Sequence, residues 1–161
     1  MSLTRVSHPF RFDIGYVLMT GSNIWPHVNI GDLGNLYGLV YTRAQKGDIG
    51  HGTAGYYLGI AGEYTLLSAA QTVGTALAQN KFSESGQATS FTPEEIQKYY
   101  SGMQYHGGNS RGVADRSKSI GWRPKREMDD FMRHIKSEVV RVEKRFGKKW
   151  EGGNQSAAWQ K

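Results

Sequence analysis

Three stripes of apolar residues at helical spacing constrain this chain more than any other feature of its sequence. The first is Leu33, Leu36, Tyr37, Val40 and Ala44, which recur at i, i+3, i+4, i+7 and i+11 and so share one face of a helix. Asp32 stands before it as the expected N-cap, and the helix runs to about Lys46. Thr65 opens the second stripe, Leu66, Ala69, Ala70, Val73, Ala76 and Leu77, with Asn80 as its stop. The third runs from about Glu127 to Phe146 through Met128, Phe131, Ile135, Val139, Val142 and Phe146. A shorter helix is announced by Thr92-Pro93-Glu94-Glu95, with Thr at the N-cap, Pro at N1 and Glu at N3. A brief one over 113–119 leads to Gly121-Trp122-Arg123-Pro124, where Gly121 occupies a helix C′ position and Pro124 prevents continuation.

Strand signals are fewer. Residues 14–20 and 55–60 read as short buried strands. Residues 25–30 are extended but contain Pro26, which confines them to an edge. Residues 47–55, 81–90 and 107–110 read as loops. The pattern predicts one helix-rich α+β domain over 14–146, with an N-terminal extension at 1–13 and a polar, disordered tail at 147–161.

Composition narrows the setting. The chain has 161 residues, enough for a core. It has no cysteine, which excludes disulfides, thiolate metal sites and thiol nucleophiles. The N-terminus lacks the apolar run of a secretory signal, and no segment has the length of apolar sequence that spans a bilayer. A cytoplasmic location without membrane attachment is expected. The net charge of +6 is concentrated in residues 111–149, which hold thirteen Lys and Arg against six Asp and Glu. Acidic residues are interleaved there, so a solvated helix face is preferred over a nucleic-acid surface.

Chemistry-bearing motifs are sparse. Gly50-His51-Gly52-Thr53-Ala54-Gly55 matches G-x-G-x-x-G in letters. A phosphate-binding loop of that kind follows a strand and opens a helix. Here the order is reversed, so the match reads as a flexible connection. None of the five histidines has a second histidine at i+4 or carboxylates at ligand spacing, and no metal site is expected. No P-loop, nucleophile elbow or Tyr-x-x-x-Lys occurs, and no catalytic residue is assigned.

Three segments in order resemble one family. Val28-Asn29-Ile30-Gly31-Asp32-Leu33, continued by Gly34-Asn35-Leu36-Tyr37, is similar to the V-H-V-D-D-L-A-x-x-Y segment of the extended short-chain dehydrogenases. Gly55-Tyr56-Tyr57-Leu58 with Glu63-Tyr64-Thr65 is similar to that family's G-x-x-Y-F strand and the helix start behind it. Asn109-Ser110-Arg111 followed by Ala114 to Pro124 resembles the family's N-S-R…K-x-x-x-L-G-W-x-P ending. The resemblance covers residues 14–145 and is closest to the atypical, epimerase-like group common in fungi.

The resemblance implies an α/β-derived fold: the C-terminal substrate lobe of an NAD(P)-dependent epimerase/dehydratase, without the Rossmann half. It implies no cofactor for this chain alone, because the glycine fingerprint and the Tyr-x-x-x-Lys pair belong upstream in complete members. The expected function is that of a truncated or degenerate homologue without redox activity of its own. Two alternatives stand beside it: an oxidoreductase or epimerase completed by another polypeptide, and a binding module using Arg133, Lys136, Arg141 and Lys144 of the last helix. The family pattern places Asn23, Trp25, His27 and Tyr57 around the substrate cleft. Trp25 stands where nucleotide-sugar epimerases carry a diphosphate-binding arginine, which disfavours nucleotide sugars and suits a small apolar or aromatic ligand. A lobe without its packing partner is expected to be marginally stable and to self-associate or bind a partner over the uncovered face.

Overall fold

The computed structural model describes residues 16–17, 20–103 and 105–146. The 1–13 extension and the 147–161 tail lie outside them. In chain order the elements are β1 (Tyr16–Val17), β2 (Ile24–His27), α1 (Ile30–Lys46), a 3₁₀ turn (Gly52–Ala54), β3 (Gly62–Thr65), α2 (Leu66–Gln79), β4 (Thr89–Ser90), α3 (Pro93–Tyr100), a second 3₁₀ turn (Tyr105–Gly107), α4 (Asp115–Ser119) and α5 (Met128–Phe146). The fold is α+β and mostly helical. The strands form two separate pairs: β1 runs parallel to β4, and β2 antiparallel to β3. In the second pair Ile24 faces Thr65, Trp25 faces Tyr64, Pro26 faces Glu63 and His27 faces Gly62. A two-stranded sheet is all edge, so Pro26 removes a donor where it is tolerated.

The start and stop signals around α2, α3 and α4 act as the sequence indicates. Thr65 caps α2 by accepting from Ser68 N at 3.1 Å, and Asn80 is its C-cap. Thr92 and Glu95 form a complete capping box on α3. Gly121, at φ +99°, closes α4. Its N–H reaches Lys118 O at 3.0 Å and that of Trp122 reaches Ser117 O at 3.0 Å, which is the Schellman pattern. The turn aims Trp122 into the core, where it packs with Leu36, Ala114 and Ile120. α5 packs chiefly on α2 and touches β3.

Four details correct the sequence reading. The N-cap of α1 is Asn29, whose side chain accepts from Gly31 N at 2.8 Å, and not Asp32. Asp32 lies inside the first turn with 1% of its surface exposed. There its carboxylate accepts from Arg126 N at 2.9 Å, and its carbonyl accepts from the Trp122 indole at 2.8 Å. The core stripe of α1 is also rotated: Leu33, Leu36, Leu39 and Val40 face inward, while Tyr37 and Ala44 are exposed.

Residues 55–60 do not form a strand; the strand is β3, at Gly62–Thr65. Side chains of α4 take the carbonyls of that stretch instead, with Ser117 Oγ on Leu58 O at 2.7 Å and Arg116 on Tyr56 O at 3.4 Å. Finally, Thr89–Ser90, read as loop, is the partner of β1. Among the described residues no helix is long and apolar enough to cross a membrane.

Candidate functional site

Side chains two apart on a strand share a face, and residues directly opposite in an antiparallel pair share it too. Asn23, just before β2, therefore lines up with Trp25 and His27, and Tyr64 joins them from β3. Asn23 Nδ2 and Trp25 Nε1 both donate to the Gly108 carbonyl, at 3.1 and 2.9 Å. The next residues complete the attachment. Asn109 Oδ1 accepts from Ile24 N at 2.7 Å, and Ser110 N donates to Ile24 O at 2.9 Å, so the loop continues the hydrogen bonding of β2. Arg111 reaches across to Glu63 with Nε at 3.0 and 3.2 Å from the two carboxylate oxygens and Nη2 at 2.7 Å. The Arg111 hydrogen bonds hold the Glu63 carboxyl below its usual range and raise the guanidinium's own pKa. Asn109-Ser110-Arg111 is thus a strap tying the 107–111 loop to the β2–β3 pair.

A cleft of about 180 Å³ opens at this junction, lined by Thr20, Gly21, Ser22, Asn23, Gly107, Gly108 and Asn109. The Thr20 and Ser22 hydroxyls lie 2.7 Å apart at its wall. Its lining is hydroxyl, amide and backbone, with no formal charge. Its size is well below the ~300–1,000 Å³ of clefts that engulf a whole cofactor or drug-sized ligand. It suits a small neutral group that exchanges hydrogen bonds.

At the other end of the face, His27 is buried and stacks on Phe131 of α5, with centroids 5.1 Å apart and planes at 14°. Tyr64 packs on the same ring at 4.9 Å. Burial pushes the His27 pKa down and the Tyr64 pKa up. A Cβ at Gly62 would lie 2.7 Å from His27 Nε2, so this close approach requires glycine. Of the four residues marked in the sequence, Asn23, Trp25 and His27 share one face, and only Asn23 lines the cleft. Tyr57 is elsewhere: its hydroxyl accepts from Gly50 N at 3.0 Å and donates to Gly50 O at 3.3 Å, while its ring packs on the core. Thr20, Ser22 and Gly108 went unread. The Gly107-Gly108 run was the one available signal for the last of them, because side chains can approach glycine backbone closely.

The Gly50–Gly55 match is a closed turn, pinned by Tyr57 and containing only the 3₁₀ turn Gly52–Ala54. A Cβ at Gly50 would meet Ala54 O at 2.8 Å. These residues do not fit a dinucleotide, since no helix N-terminus of useful length faces the loop. Among the described residues no group of three His, Asp or Glu side chains could hold a metal ion. Two arginines of α5 are engaged on the helix itself, Arg133 with Asp130 at 2.8 Å and Arg141 with Glu138 at 2.5 Å. Comparison with models of protein families, with curated proteins and with solved structures returned no match.

Proposed function

We propose that this chain is a substrate-side lobe of the epimerase/dehydratase type, related to the extended short-chain dehydrogenases, that holds a ligand and carries out no hydride transfer by itself. The observation that carries this reading is spatial. The three segments that resemble the family lie far apart in sequence and meet around β2 and the start of α1. The first and third join where the Asp32 carbonyl accepts from the Trp122 indole. The second and third join at Glu63 and Arg111, and the third grips β2 through Asn109 and Ser110.

The ligand site of this proposal is the polar cleft at Thr20–Asn23 and Gly107–Asn109, with the half-buried Trp25 ring beside it. A small apolar or aromatic molecule with one hydrogen-bonding group matches that combination. The hydride chemistry of the family is supplied by NAD(P), and here it would need a second polypeptide to hold the cofactor. The reading is tested by titrating the purified chain with NADPH and NADH and following the nicotinamide fluorescence. No saturable change below about 1 mM is the expected result. Saturation in the micromolar range would overturn it.

A further inference from the structure

Polar contacts hold the loop 107–111 in place. The Gly108 carbonyl accepts from Asn23 and Trp25, Asn109 and Ser110 bond to the two backbone groups of Ile24, and Arg111 pairs with Glu63. The segment has no apolar side chain to bury. Gly108, Asn109, Ser110 and Arg111 are exposed, and buried side chains resume only at Ala114. Glycines stand at both ends, Gly107-Gly108 and Gly112, and leave the backbone free to swing. The side chains of Arg111 and Glu63 are 59% and 28% exposed, so water competes for their pairing. A segment held by exposed hydrogen bonds without an apolar anchor opens far more readily than the whole fold.

The contact at Gly108 has the form of a ligand contact. Two side-chain donors, Asn23 Nδ2 and Trp25 Nε1, converge on one carbonyl oxygen at 3.1 and 2.9 Å, at the wall of the cleft. That pair of donors suits any neutral carbonyl oxygen, and the indole ring offers a flat apolar surface to the body of the molecule that carries it. We infer that the loop 107–111 is a latched lid. Its Gly108 carbonyl occupies the two donors that a ligand's ketone or amide oxygen takes once the loop lifts, and the Arg111–Glu63 pair is the latch. The inference rests on the reading of this cleft as the ligand site and adds the ligand's class, a neutral carbonyl compound with an apolar or aromatic body. Ligand and Gly108 compete for the same N–H groups, so binding and closure exclude each other. Apparent affinity then rises with the fraction of chains whose lid is open. A loop that merely walls the cleft gives the opposite sign, because loosening it weakens binding.

The experiment compares the wild-type chain with Glu63→Gln, which keeps the size of the side chain and removes its charge. Hydrogen exchange reads the lid at the Ser110 N–H, the donor to Ile24 O. Binding of acetophenone, an aromatic ketone, reads the site and is followed by NMR at the Trp25 indole N–H. In the wild type Ser110 is expected to exchange roughly a hundredfold faster than the interior of α2. Glu63→Gln is expected to quicken that exchange about threefold and to tighten acetophenone binding by about the same factor, with α2 unchanged. Arg111→Gln breaks the pair from the other side and is expected to act alike, which keeps the test in force if one variant fails to fold. Ser110 exchange no faster than that of α2, or untouched by either variant, overturns the latched lid. So does acetophenone binding that weakens as exchange quickens; the cleft then remains a ligand site with a fixed wall. Acetophenone binding by neither wild type nor variant up to about 10 mM overturns the lid and the ligand-site reading together.

Discussion

Asp32 shows how much one residue can hold together. Its carboxylate is buried, and it accepts the backbone N–H of Arg126, while its carbonyl takes the indole proton of Trp122. Two polar groups 90 and 94 residues away are thereby satisfied in the first turn of α1. The carboxylate also sits where the helix N-terminus stabilises negative charge. Asp32→Ala leaves the Arg126 N–H without its acceptor and is expected to cost about 2–3 kcal/mol. Asp32→Asn keeps an acceptor and should cost about half as much. Urea denaturation of both variants measures this; an Asp32→Ala midpoint equal to wild type would show that the contact contributes nothing. The sequence marked Asp32 as the N-cap of α1, a place that Asn29 takes. Which backbone group its oxygen takes was not legible, because Arg126 is distant in sequence.

At the scale of elements, stop signals proved as readable as start signals. Gly121 was marked from its place between a polar helix and Trp-Arg-Pro, and in the fold its φ of +99° makes the Schellman turn that delivers Trp122 to the core. Gly121→Ala forces a Cβ into that region and is expected to destabilise by about 1–2 kcal/mol, with no packing contact removed, since nothing lies within 4 Å of the added atom. A melting curve for this variant, compared with Gly121→Asn as the milder left-handed former, checks the backbone origin of the effect. Strands were less legible. The 55–60 run has strand-like residues, but its carbonyls are claimed by Arg116 and Ser117. β3 instead occupies Gly62–Thr65, where glycine faces His27. Pairing depends on which partner is within reach, and β-propensity alone does not specify that. The inward stripe of α1 was similarly misread, because Tyr37 and Ala44 are exposed and Leu39 packs on the core.

For the whole molecule, α5 is the closing element. Its apolar stripe was plain in sequence, and Phe131 of that stripe joins the helix to the β2–β3 pair through His27 and Tyr64. This junction makes stability depend on pH. His27 has a folded pKa below its ordinary 6.5 because burial disfavours the charged ring. The folded state thus binds fewer protons there than the unfolded chain does. Its contribution is fully present above about pH 6.5 and is lost as pH falls from that value through the folded pKa. The depressed carboxyls of Glu63, Glu138 and Asp130 act in the same direction at lower pH, being lost as pH falls from their ordinary range through their folded values. Melting temperature is therefore expected to fall on acidification from neutrality, beginning above the carboxylate range. His27→Phe, which keeps an aromatic ring against Phe131, should remove that first part of the fall and leave the later part. An unchanged profile in this variant would assign the early loss to another group.

The sequence by itself determined the helices, the caps of α2 and α3, the stop of α4 and the helix-rich α+β class, because apolar period and cap chemistry are local. The resemblance grouped Asn23, Trp25, His27 and Tyr57, and the alternation of β2 puts the first three of them on one side. Only the tertiary structure decided that Gly108 accepts from two of them, that Phe131 covers the third, and that Tyr57 serves the Gly50 turn instead. Those partners are set by contacts between residues scores of positions apart, and the free energy that selects such contacts comes from burying Trp122, Leu36 and Leu77 together with their neighbours. No local pattern encodes it.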